Sequence, residues 1–251
     1  MLNKTSKKSK EIFFLINIYI IIVFIHLYSC FYHIHSIRRS TKVLLMPMLI
    51  LIYREITTPE NYSKYIINGL LFGFTGDTIL LCDEKSSLLT IGILSFLIGH
   101  ILYISLYLRE IGKKNFYINK NIFILVIIFI FYCFVTYLVF CGIKVGILKR
   151  GVFYEATFYL FILEIENCLS CFYFYIQRDK WSFINYLGTS IFWLSDFILI
   201  RDLFYNDRYK YYLNFIVMFT YIIGQTFIML GMSQKKINKK MEKKILFLLN
   251  F

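Results

Sequence analysis

Charge is scarce in this chain, and acids are scarcer than bases. Asp, Glu, Lys and Arg make up 17% of its 251 residues, with 15 acids against 28 bases. Soluble domains carry about 25% charged residues. With 59% hydrophobic residues and a mean hydropathy of +0.64, the composition excludes a soluble core and is that of a membrane protein. Only two prolines occur, and no internal repeat or long linker is visible, which leaves one compact helical domain. The six cysteines are scattered. Cys168 and Cys171 form a CxxC, but it lies in an apolar segment beside Phe172 and Tyr173, where cysteine serves as a buried small hydrophobe rather than a redox or metal ligand.

The basic excess is real but local. The net charge of +13 owes much to the first ten residues and to KKINKKMEKK, Lys235 to Lys244. Clusters that flank apolar spans act as cytosolic anchors and attract anionic lipid, so their placement argues against nucleic acid as a partner. The aromatic content of 20% accompanies abundant Ile, Asn and Lys, as an AT-rich coding sequence would give, and carries no functional signal.

Apolar runs predict an all-α, polytopic membrane bundle of about eight transmembrane helices, at 12–34, 40–54, 65–82, 87–108, 121–141, 153–176, 183–204 and 211–232. Residues 1–11 then form a basic cytosolic tail, 12–232 a single transmembrane domain and 233–251 a second basic tail. The loops TTPENYS, CDEKSS and QRDKWS are short and turn-like. The second span is awkward, because only 11 residues separate Lys42 from Arg54. Either a basic residue enters the membrane region and snorkels, or this helix is short or re-entrant. With an even count and both termini in the cytosol, about 18 of the 28 Lys and Arg fall on the cytosolic side, although Arg38, Arg39, Lys149 and Arg150 run against the tendency. The lysines before IFFLINIYIIIVFI are also compatible with a signal peptide, but no small-x-small cleavage site follows, which favours an uncleaved first span. One-sided basic tails fit the endoplasmic reticulum or another endomembrane.

Two acids stand out against this background: Asp77 in GFTGDTILL and Asp196 in IFWLSDFILI. An ionised carboxylate at the centre of a membrane helix costs about 2.5–3.5 kcal/mol on insertion scales, and such residues turn toward the bundle interior and act there. Other polar residues within the spans are Lys42, His100 and Tyr103 (three apart), Ser195, and Tyr221 and Gln225 (four apart). Spacings of three and four put each pair on one helix face. Each has a blander explanation too: an interior hydrogen-bonded histidine, interfacial anchoring for Lys42, or polar glue between helices for Tyr221 and Gln225. Glu164 and Glu166 are unusual inside a span, but residues two apart face nearly opposite ways and cannot both enter one site. His33 and His35 diverge for the same reason and lack a third ligand, so no metal site is expected.

The segments TKVLLMP, GFTGD, FLIGHILY, LGTSIFWLSD and TYIIGQTFI, in this order, resemble the YhhN-type, lysoplasmalogenase-like family of eight-span membrane proteins. The resemblance covers residues 40–232; Glu164 and Glu166 depart from it, since a plain apolar helix is expected there. It implies hydrolysis of the vinyl ether bond of lysoplasmalogens, with a lysophospholipid as substrate and no cofactor. Carried over, the polar site comprises Lys42, Asp77, His100, Tyr103, Ser195, Asp196, Tyr221 and Gln225, with Asp77 and Asp196 catalytic. The chemistry agrees: vinyl ether hydrolysis starts with protonation of the alkenyl carbon, and a carboxyl pair sharing one proton supplies both an acid and an anionic stabiliser. A proton-coupled transporter using the same carboxylates and a non-catalytic lipid-binding relative are the alternatives; the first lacks the paired interrupted helices many transporters show. Head-group preference and oligomeric state leave no trace in the sequence.

Overall fold

The computed structural model describes residues 2–57, 64–82, 86–113, 118–149, 153–204 and 210–233. Within them lie eight helices: α1 (Leu2–Phe31), α2 (His35–Ile56), α3 (Lys64–Cys82), α4 (Ser86–Gly112), α5 (Ile118–Lys149), α6 (Phe153–Gln177), α7 (Lys180–Phe204) and α8 (Lys210–Ser233). Most of the predicted loops TTPENYS and CDEKSS, and the basic tail beyond Ser233, lie outside the described residues. Among the described residues five helices are long and apolar enough to cross a membrane, at Lys10–Phe31, Leu88–Gly112, Phe153–Gln177, Lys180–Ile200 and Tyr212–Ser233. The protein is thus an all-helical bundle of membrane character. Its outer faces carry exposed Phe24 on α1 and Phe123 and Phe131 on α5, as lipid contact requires.

The structure fixes the extent of the second helix. His33 takes the left-handed conformation at φ 58°, which turns the chain sharply after α1. As a result α2 starts at His35 and runs 22 residues through Pro47 without a break, about 33 Å at 1.5 Å per residue. This corrects the expected start at residue 40: Arg38, Arg39 and Lys42 are helical, and Lys42 points inward rather than ending a short helix. The same turn separates His33 from His35, which share no helix face.

Two local devices fix where the site residues fall. Asp179 caps α7: its Oδ1 accepts from the backbone N–H groups of Trp181 and Ser182, both at 2.9 Å, so the register that carries Ser195 and Asp196 is set at the helix start. Farther along, α7 and α8 pack backbone to backbone. A Cβ on Gly188 would lie 2.7 Å from the Ile228 nitrogen, and one on Gly224 would lie 3.0 Å from that of Phe192. Small residues are what allow membrane helices to approach this closely. The helix α1 is tied to the bundle by Tyr19 Oη to Thr226 Oγ1 at 2.9 Å and by His26 Nδ1 to Thr41 Oγ1 at 2.8 Å. The remaining helix, α5, packs outside α6 and α7, so the interior belongs to α2, α3, α4, α6, α7 and α8.

Candidate functional site

Asp77 and Asp196 come from α3 and α7, and both line one pocket with an interior of about 100 Å³. Lys42, Tyr159, Ser195 and Tyr221 share its polar part. Apart from Asn214, the rest is apolar, with Leu80, Leu89, Ile93, Phe96, Leu199, Ile200 and Met218 prominent. Both carboxylates are buried, with 2% of Asp77 and 4% of Asp196 exposed.

Their partners differ. Asp77 sits in an ion pair with Lys42, whose Nζ is 3.1 Å from Oδ1, and accepts a hydrogen bond of 2.7 Å from the Tyr221 hydroxyl on Oδ2. Asp196 accepts a short hydrogen bond from the Tyr159 hydroxyl. That hydroxyl also lies 3.1 Å from His100 Nε2, and His100 Nδ1 lies 2.5 Å from Glu166 Oε2. Two arms therefore meet at the pocket: Lys42–Asp77–Tyr221 from α2, α3 and α8, and Glu166–His100–Tyr159–Asp196 from α6, α4 and α7.

The other expected residues divide between lining and scaffold. Tyr103 donates to Gln225 Oε1 at 3.0 Å and its ring packs edge-on against His100, so Tyr103 and Gln225 bind α4 to α8 behind the pocket. Gly69 of α3 lies directly under the Tyr103 ring, where any Cβ would collide. Tyr221 and Gln225, on one face of α8, reach α3 and α4 respectively, which combines the glue and site readings. Ser195 lines the pocket, yet its hydroxyl donates to the Val217 carbonyl at 2.9 Å and ties α7 to α8.

Sequence reasoning missed Tyr159 and Glu166. They are seven residues apart, two helical turns, and so share one face of α6. The opposed-faces argument for the two glutamates holds in the structure: Glu166 meets His100, whereas Glu164 accepts from Trp193 Nε1 at 3.0 Å on the other side. The signal for Glu166 was the one that singled out Asp77, an acid deep in an apolar helix. Cys168 is buried and Cys171 half-buried on α6, neither in a disulfide. Among the described residues no group of three or more His, Cys, Asp or Glu is arranged to hold a metal ion.

No curated protein and no solved structure matches the chain. The model of the YhhN family matches residues 37–232, which takes in all but the ends of α2 through α8 and every residue of the pocket, and on that match the chain belongs to the YhhN family.

Proposed function

We propose that this protein is a membrane lipid hydrolase that cleaves the vinyl ether bond of lysoplasmalogens, giving a fatty aldehyde and a glycerophospho-ethanolamine or -choline. The observation that carries the proposal is the meeting of two buried carboxylates with unlike partners at the polar end of one largely apolar pocket. An apolar wall suits an alkenyl chain, and the carboxylates at its polar end would act on the ether bond.

Asp77, ion-paired with Lys42, is the anionic member. Asp196, whose direct partner is a phenol, is the proton donor. Its proton goes to the alkenyl carbon β to the ether oxygen, and the positive charge spreads over the α-carbon and that oxygen. Asp77 stabilises this oxocarbenium ion, as a carboxylate does in glycoside hydrolysis. Water then attacks the α-carbon and gives up a proton to a carboxylate. The resulting hemiacetal breaks its carbon–oxygen bond to glycerol, releasing aldehyde and alcohol. No cofactor enters this route. Lys42 is also placed to meet the lipid phosphate. All eight helices would cross the bilayer, with α2, the least apolar of them, carried by its packing, both termini cytosolic, in the endoplasmic reticulum or another endomembrane. The partners are membrane lipids and the lysophospholipid substrate, not nucleic acid.

The test is fatty aldehyde release from lysoplasmenylethanolamine by purified protein. Wild-type turnover that falls at least 100-fold in Asp196→Asn supports the proposal, within the roughly 10²–10⁴-fold share of general acid–base catalysis. Full activity in that variant would refute the role of Asp196, and proton flux in proteoliposomes without lipid turnover would favour the transporter.

A further inference from the structure

We infer that Glu166, His100 and Tyr159 form a proton-holding arm behind Asp196, with Glu166 as a positioning residue for the proton donor. The inference rests on the hydrolase reading for its kinetics but not for its geometry. Tyr159 is the one member that touches the pocket, while His100 and Glu166 lie behind it.

The tautomer of His100 with its proton on Nε2 aligns the hydrogen bonds in one direction. Tyr159 donates to Asp196 Oδ2, so its oxygen is free to accept from His100 Nε2–H, 3.1 Å away. In that tautomer His100 Nδ1 faces Glu166 Oε2 at 2.5 Å and can take up the proton that the arm holds. One concerted shift carries a proton from Glu166 to Nδ1, another from Nε2 to the tyrosine oxygen, and the tyrosine proton to Asp196. Three N–H or O–H bonds break and three form, and Glu166 ends ionised while Asp196 ends as the acid. The reverse shift returns the proton. The arm stops at Glu166: its Oε1 is buried with no hydrogen-bond partner among the described residues. A line of this kind stores a proton and does not pass it across the membrane. The charged and titratable groups facing it are Asp77 on α3 with Lys42 on α2, Tyr103 and Tyr107 on α4, and Tyr221 on α8.

Glu166→Gln keeps the shape and a hydrogen bond to His100 but cannot exchange the proton. Tyr159→Phe removes only the connecting hydroxyl, and keeps the test open if the first variant misfolds. Each should lower kcat about 10- to 100-fold with KM within about twofold, a part of the general-acid contribution. The double variant should be no worse than the poorer single one, because links in series are not additive. Glu164→Gln, on the opposite face, serves as the control and should leave kcat unchanged. Additive losses, or a Glu164→Gln loss equal to that of Glu166→Gln, would overturn the arm. A readout without turnover separates this from the function itself: the infrared carboxyl signal of Asp196, isolated as wild type minus Asp196→Asn. Its titration midpoint should move in Glu166→Gln and stay fixed in Glu164→Gln. If the wild type releases no aldehyde, the hydrolase reading fails, while a moved midpoint still supports the arm and an unmoved one refutes it.

Discussion

Replacing Lys42 with methionine keeps the apolar stem of the side chain and removes the ammonium 3.1 Å from Asp77 Oδ1. Asp77 would retain Tyr221 on Oδ2 but lose its counter-charge, with only 4% of its side chain exposed. Breaking a buried ion pair from one side costs about 3–5 kcal/mol, because the other charge is left uncompensated. The Lys42 side chain is 16% exposed toward the pocket, so partial solvation puts the cost at the lower end, about 3 kcal/mol. In a chain of this size each kcal/mol shifts Tm by about 2–4 °C, which gives a loss of ~6–12 °C. Thermal unfolding in lipid-supplemented detergent measures it.

The informative comparison is the double variant Lys42→Met with Asp77→Asn. An asparagine carries no charge, and its carbonyl still accepts from Tyr221. Removing both partners of a buried pair is far cheaper than removing one, so the double variant should recover at least ~1.5 kcal/mol, about half the loss. A Lys42→Met protein within about 1 °C of the wild type would refute the reasoning. So would a double variant as unstable as the single, since the cost would then lie in packing of the lysine stem and not in the orphaned carboxylate.

Two further stability changes follow from the packing. Gly188→Ala places a Cβ 2.7 Å from the Ile228 nitrogen and 3.0 Å from the Gly224 carbonyl oxygen; the clash should outweigh the ~1 kcal/mol helix-propensity gain and destabilise by about 1–2 kcal/mol net, read as a lowered Tm. Trp193→Phe removes the N–H that Glu164 Oε1 accepts, and Oε2 has no partner among the described residues. This buried carboxyl should then cost about 2 kcal/mol, measured by thermal unfolding, with aldehyde release per folded molecule unchanged.

The helices were legible because lipid imposes a single rule: an apolar run of sufficient length must close its backbone hydrogen bonds internally. That rule marks the length of a run and not its ends. Thus α2 was read short at its basic start, where the His33 turn and not hydropathy decides the boundary. The polar residues were legible through the cost of burying them, which identified Asp77, His100 and Asp196. Pairing was legible for Lys42 only as one option, an aspartate or the lipid phosphate, and not at all for Tyr103 with Gln225, a contact between helices distant in sequence. Nor does a polar residue reveal whether it faces a pocket or a neighbouring carbonyl: Ser195 and Asp196 are adjacent, yet their side chains diverge by about 100° around the helix, so one binds α8 while the other turns toward Tyr159.

Glu166 carries the most weight among the residues that sequence reasoning left aside. An expected apolar sixth helix made it a departure, whereas the burial argument that singled out Asp77 applied to it with equal force. Its partner His100 was already a candidate, and an imidazole has two nitrogens to satisfy. With Nε2 facing Tyr159, Nδ1 needs a second polar group inside the bundle. A buried histidine in an apolar helix therefore predicts a second buried polar residue on a facing helix. In this chain Glu166 is that residue, and it joins α6 to a site whose two aspartates come from α3 and α7.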